Sequence, residues 1–140
     1  MEDLVRYLKE IVEPTIKDFE KNPTSVRHAF LACVTTFHAV DYLAFPRRSR
    51  RLRQRLGQES EDFRIVDDVA HVFKHAIVGD RAKPRLTAKG VVSRKGAFQP
   101  GVFDPDTFDV GGVTLADKPG VDLRRTVKRA VKFLHAQRRS

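Results

Sequence analysis

Residues 26–45, "VRHAFLACVTTFHAVDYLAF", decide the fold, because this stretch is apolar on nearly every side of a helix. A helix of that kind belongs in the middle of a helical bundle, where other elements cover it. The preceding "KNPTS" at residues 21–25 offers Thr24 or Ser25 as the N-cap. Pro46 ends the helix, since proline cannot continue it. The sequence therefore predicts a central helix around which the chain packs.

Amphipathic segments lie on both sides of this central helix. Residues 3–20 place apolar side chains at spacings of three and four, which is typical of a helix with one buried face. Pro14 falls inside this segment, so we expect a kink there or two short helices in line. Residues 63–78 show a second pattern of the same kind, and Gly79 is a natural C-cap.

The composition changes at Gly79, because seven of the eight glycines lie at or beyond it. The pieces "LTAKGVVSR" and "VGGVTLA" predict short strands separated by turns. From about residue 122 a helical period returns and continues to residue 137. We predict one mainly α domain of residues 1–140. Its core is a small bundle of three to four main helices (residues 2–78 and 122–137), with a glycine-rich β-hairpin arm (residues 80–121) inserted before the C-terminal helix.

The net charge of +9 is unevenly distributed along the chain. Residues 1–20 hold six acidic and three basic side chains, so the remaining residues carry a net charge of +12. The block "RRSRRLRQRL" at residues 47–56 predicts a short exposed helix or a mobile loop. A surface of this charge attracts anions such as RNA or another polyanion. The candidate anion-binding residues are Lys74, Arg47, Arg48, Arg50 and Arg51.

Several classes of protein are excluded or disfavoured by the sequence. The single cysteine, Cys33, rules out a disulfide framework and a cysteine-based metal site. The N-terminal residues are charged and periodic, unlike a signal peptide, and no segment approaches the ~20 uncharged residues needed to span a bilayer. We therefore expect a cytoplasmic protein that does not contact membranes. No phosphate-binding glycine loop is present, and no cofactor is predicted.

Two rows of polar side chains interrupt the apolar helices and mark the candidate site. The row on the central helix consists of Thr35, His38, Asp41 and Tyr42. The row on the second amphipathic helix consists of Arg64, Asp68, His71 and His75. A carboxylate in so apolar a segment must reach solvent or meet a cation or hydrogen-bond donors. We predict that the rows face each other across a cleft, as a structural polar network or as a functional site.

Three chemistries suit these residues. In metal-free phosphodiester cleavage, His71 acts as general acid or base and Arg64 neutralises the charge that develops on phosphorus. In simple anion or nucleotide binding, Arg64, Lys74 and the histidines hold the ligand without turnover. In a metal site, the histidines at i and i+4 share one ion, although "HVFKH" lacks the glutamate of H-E-x-x-H. The four metal ligands would be His38, Asp41, His71 and His75.

The arginine and histidine of "RIVDDVAH" resemble the R-x4-6-H motif of the HEPN superfamily (higher eukaryotes and prokaryotes nucleotide-binding domains). The resemblance implies a helical bundle, often dimeric, with Arg64 and His71 as active-site residues of a metal-independent ribonuclease. The segments "HAVDY" and "DVAHVFKH" are also similar to uncharacterised bacterial proteins that have an H-x-x-D-[YW] helix and a D-x-A-x-x-x-K-H helix. That similarity implies one site containing His38, Asp41, Lys74 and His75.

Taken together, these features lead to a prediction of function with two alternatives. The prediction is a HEPN-like homodimer that binds nucleic acid or a nucleotide. If it is an enzyme, we expect a metal-independent ribonuclease. The candidate catalytic residues are Arg64, His71, His75, His38 and Asp41. The first alternative is a non-catalytic protein-interaction module whose polar network is structural. The second is a metal-dependent hydrolase that uses the histidine and aspartate residues.

Overall fold

The computed structural model describes residues 2–99 and 102–138, and its longest helix is α3 (Val26–Ala44). The Ser25 side chain caps α3 by accepting a hydrogen bond from the backbone N–H of His28 at 3.2 Å. The central helix predicted from the sequence is thus confirmed. Only one side of it is buried, however, and this side is formed by Ala29, Ala32, Cys33, Thr36, Ala39 and Val40.

A continuous helical run precedes α3. It consists of α1 (Glu2–Tyr7), a π-helical segment (Leu8–Val12) and α2 (Glu13–Lys21). The backbone N–H of Glu13 bonds to the carbonyl of Leu8, five residues back, and Pro14, which has no N–H, lies in the first turn of α2. Leu4, Leu8, Val12 and Ile16 are all buried. An α-helix has 3.6 residues per turn, so side chains spaced four residues apart gradually rotate around its axis. The wider π turn compensates for this rotation and keeps these side chains on one face.

Two helices joined by a single residue follow α3. The arginine-rich block was predicted as a short helix or a loop, and it is helical from Arg50 onwards, within α4 (Arg50–Glu59). Ser60 links α4 to α5 (Glu61–His75). The Ser60 hydroxyl accepts a hydrogen bond from the backbone N–H of Phe63 at 3.1 Å, so this serine caps α5. Helix α5 ends three residues earlier than predicted. Ala76 has a positive φ of 66°, which breaks the helix before Gly79.

The segment before the C-terminal helix forms two antiparallel hairpins rather than one. Strands β1 (Ile77–Gly79) and β2 (Pro84–Thr87) make the first, and β3 (Val91–Arg94) and β4 (Gly112–Leu115) make the second, after a 3-10 turn at Ala88–Gly90. The long loop between β3 and β4 contains residues 100 and 101, which lie outside the described residues. Its three phenylalanine rings pack on one another with centroids 4.8–5.0 Å apart, and these are Phe98, Phe103 and Phe108.

The C-terminal helix α6 (Leu123–Gln137) closes the bundle against α3 and α5. Its first turn holds Arg124, which is 4% exposed and donates a hydrogen bond of 2.9 Å to Asp106 in the long β3–β4 loop. The loop is therefore attached to the helix by a buried guanidinium group. The result is a mainly α protein with β-hairpins before its C-terminal helix, as the sequence predicts. None of the helices described has the length and apolar character needed to cross a membrane.

Candidate functional site

The clearest polar cluster lies where α4 and α5 meet and is organised by Asp67. Arg53 of α4 donates two hydrogen bonds to this carboxylate, from Nε at 2.7 Å and from Nη2 at 2.8 Å. His71 of α5 places its Nδ1 2.9 Å from Asp67 Oδ1 and 2.8 Å from the Asp67 backbone carbonyl. The Asp67 side chain is only 13% exposed, so these contacts are made largely out of water. Bidentate pairing of this kind fixes orientation as well as charge.

The hydrogen bonds to Asp67 fix which nitrogen of His71 carries the proton. Both atoms near Nδ1 are oxygens that can only accept, so Nδ1 must donate. In the neutral ring, Nε2 is then the basic nitrogen. The ring is held further by Phe37 of α3, whose centroid lies 4.7 Å away at an interplanar angle of 89°. Arg53 lies over the same phenyl ring at 5.2 Å. His71 is thus oriented by Asp67 and by Phe37, and Arg53 contacts both of these residues.

The two polar rows do not face each other, so the prediction of a shared cleft is wrong. His38 and Asp41 contact each other at 3.4 Å, and their side chains are 54% and 57% exposed. Tyr42 stacks on Tyr7 of α1 with ring centroids 4.6 Å apart. A carboxylate in an apolar helix must be hydrated or paired, and the carboxylate of Asp41 satisfies this requirement by reaching solvent. Thr35 and Tyr42 of the α3 row contact Tyr7 of α1. The Phe37 ring contacts the rings of both His38 and His71.

The other predicted site residues are dispersed along α5. Arg64 is exposed and lies 3.7 Å from Glu61, one turn before it, rather than beside His71. The ring of His75 is parallel to that of His71, with centroids 6.3 Å apart. Lys74 is exposed and makes no ion pair among the described residues. The structure brings together His71, His75 and the neighbouring Asp67, but does not bring Arg64, His38 or Asp41 to them.

A metal site is not assembled from the predicted ligands. Within residues 2–99 and 102–138, no three histidine, cysteine, aspartate or glutamate side chains lie close enough to hold an ion. Burial raises the pKa of the Cys33 thiol to about 12, so this cysteine stays protonated and is a poor nucleophile. The metal-dependent alternative therefore has no geometric support in this part of the chain.

A second candidate is a groove of ≈ 680 Å³ between the C-terminal end of α3 and helix α4. Its apolar lining comes from Leu43 and Ala44 of α3 and Leu52 of α4. Its charged lining consists of Arg47, Arg48, Arg50, Arg51 and Arg55. We call it the arginine groove. No acidic side chain lines it, and of its five arginines only Arg55 has an ion pair within the described residues, at 3.6 Å from Glu59.

The basic residues of α6 are arranged differently. Arg125 lies 3.7 Å from Asp122, Arg129 lies 3.1 Å from Asp62, and Lys128 pairs with Glu20. Three of the exposed cations on this helix thus have acidic partners, which reduces the field that an approaching anion meets. The two basic blocks that look alike in the sequence are therefore unequal in the folded protein.

The sequence prediction missed two contributors to these surfaces. Arg53 was part of the basic block, but nothing in the pattern showed that it alone would turn towards Asp67. Phe45 ended the central helix and was assigned to its apolar surface, yet 80% of its area is exposed. The only signal for it was its position, directly before Pro46 and the arginines.

Comparison with known proteins gives no match. No family model matches the chain, and neither a curated protein nor a solved structure matches it. The resemblance to HEPN domains, and the homodimer that it implies, therefore stay predictions. The functional proposals that follow are argued from the geometry and charge of the described residues.

Proposed function

We propose that the protein binds polyanions, with RNA as the principal ligand, through the arginine groove. The observation that carries this proposal is that Arg47, Arg48, Arg50 and Arg51 line one groove without an acidic partner among the described residues. Guanidinium groups bind phosphate oxygens through fixed, paired donors and remain charged at any physiological pH. Unpaired arginines that share one concave surface are therefore well suited to consecutive phosphates.

The contrast with α6 supports this location. Binding a polyanion releases counterions from it, and the gain grows with the number of phosphates that the protein neutralises. A cation that already has a carboxylate partner must give up that partner or share it. The arginine groove offers four guanidinium groups that have no acidic partner among the residues described, whereas Arg125, Lys128 and Arg129 are paired. Electrostatics thus favour the groove over the more numerous positive charges elsewhere.

Binding to labelled oligouridine RNA, followed by fluorescence anisotropy at low salt, tests the proposal. In the groove variant, Arg47, Arg48, Arg50 and Arg51 are all changed to Gln, and we expect a loss of at least tenfold in affinity. The matched α6 variant carries Gln at Arg125, Lys128, Arg129 and Lys132, which lowers the net charge equally. It should retain most of the affinity. Equal losses in the two variants, with both folded by circular dichroism, would contradict the assigned location.

A second function, RNA cleavage without a metal ion, is favoured by the orientation of His71. Its Nδ1 is bonded to Asp67, so Nε2 is available to take the proton of a ribose 2′-hydroxyl. The 2′-oxygen would attack the adjacent phosphorus and form a cyclic phosphate. The 5′-oxygen would leave with a proton from protonated His75 or from water. Asp67 acts as a positioning residue in this scheme. Arg64, which the sequence predicts as the stabiliser of the phosphorane, lies beside Glu61 in this structure and has no part in the scheme.

Incubation of the protein with labelled RNA in the presence of EDTA tests this second function. Cleavage that persists in EDTA and disappears in His71→Ala, with RNA affinity unchanged, supports it. Asp67→Asn should lower the rate and shift its pH profile, because the partner of Nδ1 has changed. RNA binding without cleavage in the wild-type protein would refute the catalytic role and leave the binding function. If the wild-type protein neither binds nor cleaves RNA, that result favours the protein-interaction module predicted as an alternative.

A further inference from the structure

Phe45 has an exposure that the fold does not require. It is the C-cap residue of α3, and at 80% it is the most exposed of the large hydrophobic side chains described. A phenyl ring left in water forgoes the burial free energy that a folded chain normally gains. Arg47, the first arginine of the arginine groove, follows two positions later. The ring therefore stands at the edge of the proposed binding surface.

A second groove adjoins Phe45 on the side of α1. It has a volume of ≈ 340 Å³ and is lined by Asp3, Leu4, Asp41, Tyr42 and Phe45. Because Tyr42 stacks on Tyr7, its ring is held in one orientation. This groove combines two aromatic walls with two carboxylates. We call it the aromatic groove.

The two grooves differ in the chemistry that they would accept. The arginine groove attracts phosphates, whereas Asp3 and Asp41 repel them. Carboxylates accept hydrogen bonds from the amino groups of nucleobases, and aromatic rings stack on the faces of those bases. Both grooves reach the C-terminal end of α3, where Leu43 and Ala44 line one and Asp41, Tyr42 and Phe45 line the other on a different side of the helix. One strand of nucleic acid presents both phosphates and free bases at such a boundary.

We propose that the ligand is single-stranded nucleic acid, with a base stacked on Phe45 and turned towards the aromatic groove. This inference rests on the polyanion-binding function proposed above and narrows it. The phosphates follow the arginine groove, and the amino group of the stacked base donates to Asp41 or Asp3. In a duplex the bases are paired and stacked on one another, so they are not available to Phe45. Stacking is therefore what separates a single strand from a duplex at this surface.

The absence of tryptophan from the chain allows a direct test. Phe45→Trp introduces a single indole whose fluorescence is quenched when a base stacks on it. We expect quenching by oligocytidine RNA, and none by heparin or by the same RNA annealed to its complement. The control is Phe98→Trp in the β3–β4 loop, which should show no change with any of the three ligands. Quenching by duplex and single strand alike would overturn the inference.

An affinity measurement separates this inference from the function on which it rests. Phe45→Ala should weaken oligocytidine binding about tenfold, a typical loss for one stacked base, and leave heparin binding unchanged. If Phe45→Ala binds oligocytidine as tightly as the wild type while the groove variant does not, stacking is refuted and polyanion binding stands. If the wild type binds neither ligand, the polyanion function itself fails. A Phe45→Trp signal that changes on dilution without ligand would instead assign the ring to contact with a second copy and overturn the proposal.

Discussion

At the scale of single residues, two adjacent aspartates on α5 show how position decides the energetic value of a carboxylate. Asp67 and Asp68 are each 13% exposed in their side chains. The Asp67 carboxylate accepts hydrogen bonds from Arg53 and contacts His71, and both of its oxygens take part. Within the part of the chain that the structure describes, Asp68 pairs with Arg85 alone, whose side chain is 56% exposed. The first carboxylate therefore links α4 to α5 and holds the His71 ring, whereas the second links α5 to an exposed arginine of β2.

We predict that Asp67→Ala is markedly more destabilising than Asp68→Ala. Hydrogen bonds to charged groups contribute about 1.5–3 kcal/mol when they are sheltered, and exposed ion pairs contribute about 0–1 kcal/mol. Urea unfolding followed by circular dichroism measures the difference. Equal free energies of unfolding for the two variants would show that the Asp67 cluster is no better protected than an ordinary surface pair.

The phenol of Tyr7 gives a pH-dependent prediction. Partial burial, helped by the neighbouring Tyr42 and Asp41, raises its pKa from 10.0 to about 12. Its hydroxyl also donates to the Thr35 carbonyl at 2.6 Å. The folded state keeps this proton longer than the unfolded state does, so the stabilisation is complete below about pH 10 and is lost as the pH rises towards 12.

Ultraviolet absorbance of the phenolate measures this directly, because the chain has only two tyrosines. In Tyr42→Phe the one remaining phenol is Tyr7, and we expect it to ionise well above pH 10, since burial is the largest cause of its shift. The same variant in urea supplies the unfolded reference. Identical titration curves in the two conditions would show that Tyr7 is not sheltered.

At the scale of helices and strands, the elements with a clear apolar period were predictable and their ends were not. Helix α3 and the buried face of α5 followed from hydrophobic spacing. The end of α5 at His75 did not, because Ala76 adopts a positive φ that the sequence gives no reason to expect. The π segment before Pro14 is likewise a response to packing at four-residue intervals. The secondary-structure propensities of the residues carry no information about packing between distant parts of the chain, so they cannot predict either feature.

Two glycines give opposite predictions for the same substitution. Gly57 lies within α4 and an added Cβ would meet nothing within 4 Å, so Gly57→Ala should stabilise the protein by about 0.5–1 kcal/mol. Gly96 lies in the long β3–β4 loop, where an added Cβ would fall 2.0 Å from the backbone nitrogen of Gly111. Gly96→Ala should therefore lower the melting temperature by several degrees. Calorimetry of both variants decides, and a stabilised Gly96→Ala would contradict the close approach of these backbones.

At the scale of the whole molecule, the positive charge of the described residues includes cations paired with carboxylates, mainly on α6, and arginines of the groove without an acidic partner. The sequence could locate both basic blocks, because they are continuous in the chain. It could not tell them apart, because the acidic partners of α6 come from distant positions such as Glu20 and Asp62. The same limit applied to the two polar rows. Helical spacing placed Thr35, His38, Asp41 and Tyr42 on one stripe, but the direction of that stripe depends on how α1 packs.

The salt dependence of RNA binding tests the central claim, that the phosphates contact the groove arginines for which the described residues supply no acidic partner. For single strands, the slope of log affinity against log salt is about 0.7 per phosphate neutralised. The groove variant, with Gln at Arg47, Arg48, Arg50 and Arg51, should therefore have a slope about 3 smaller in magnitude than the wild type. The matched α6 variant should keep the wild-type slope. A groove variant whose slope equals that of the wild type would contradict the account.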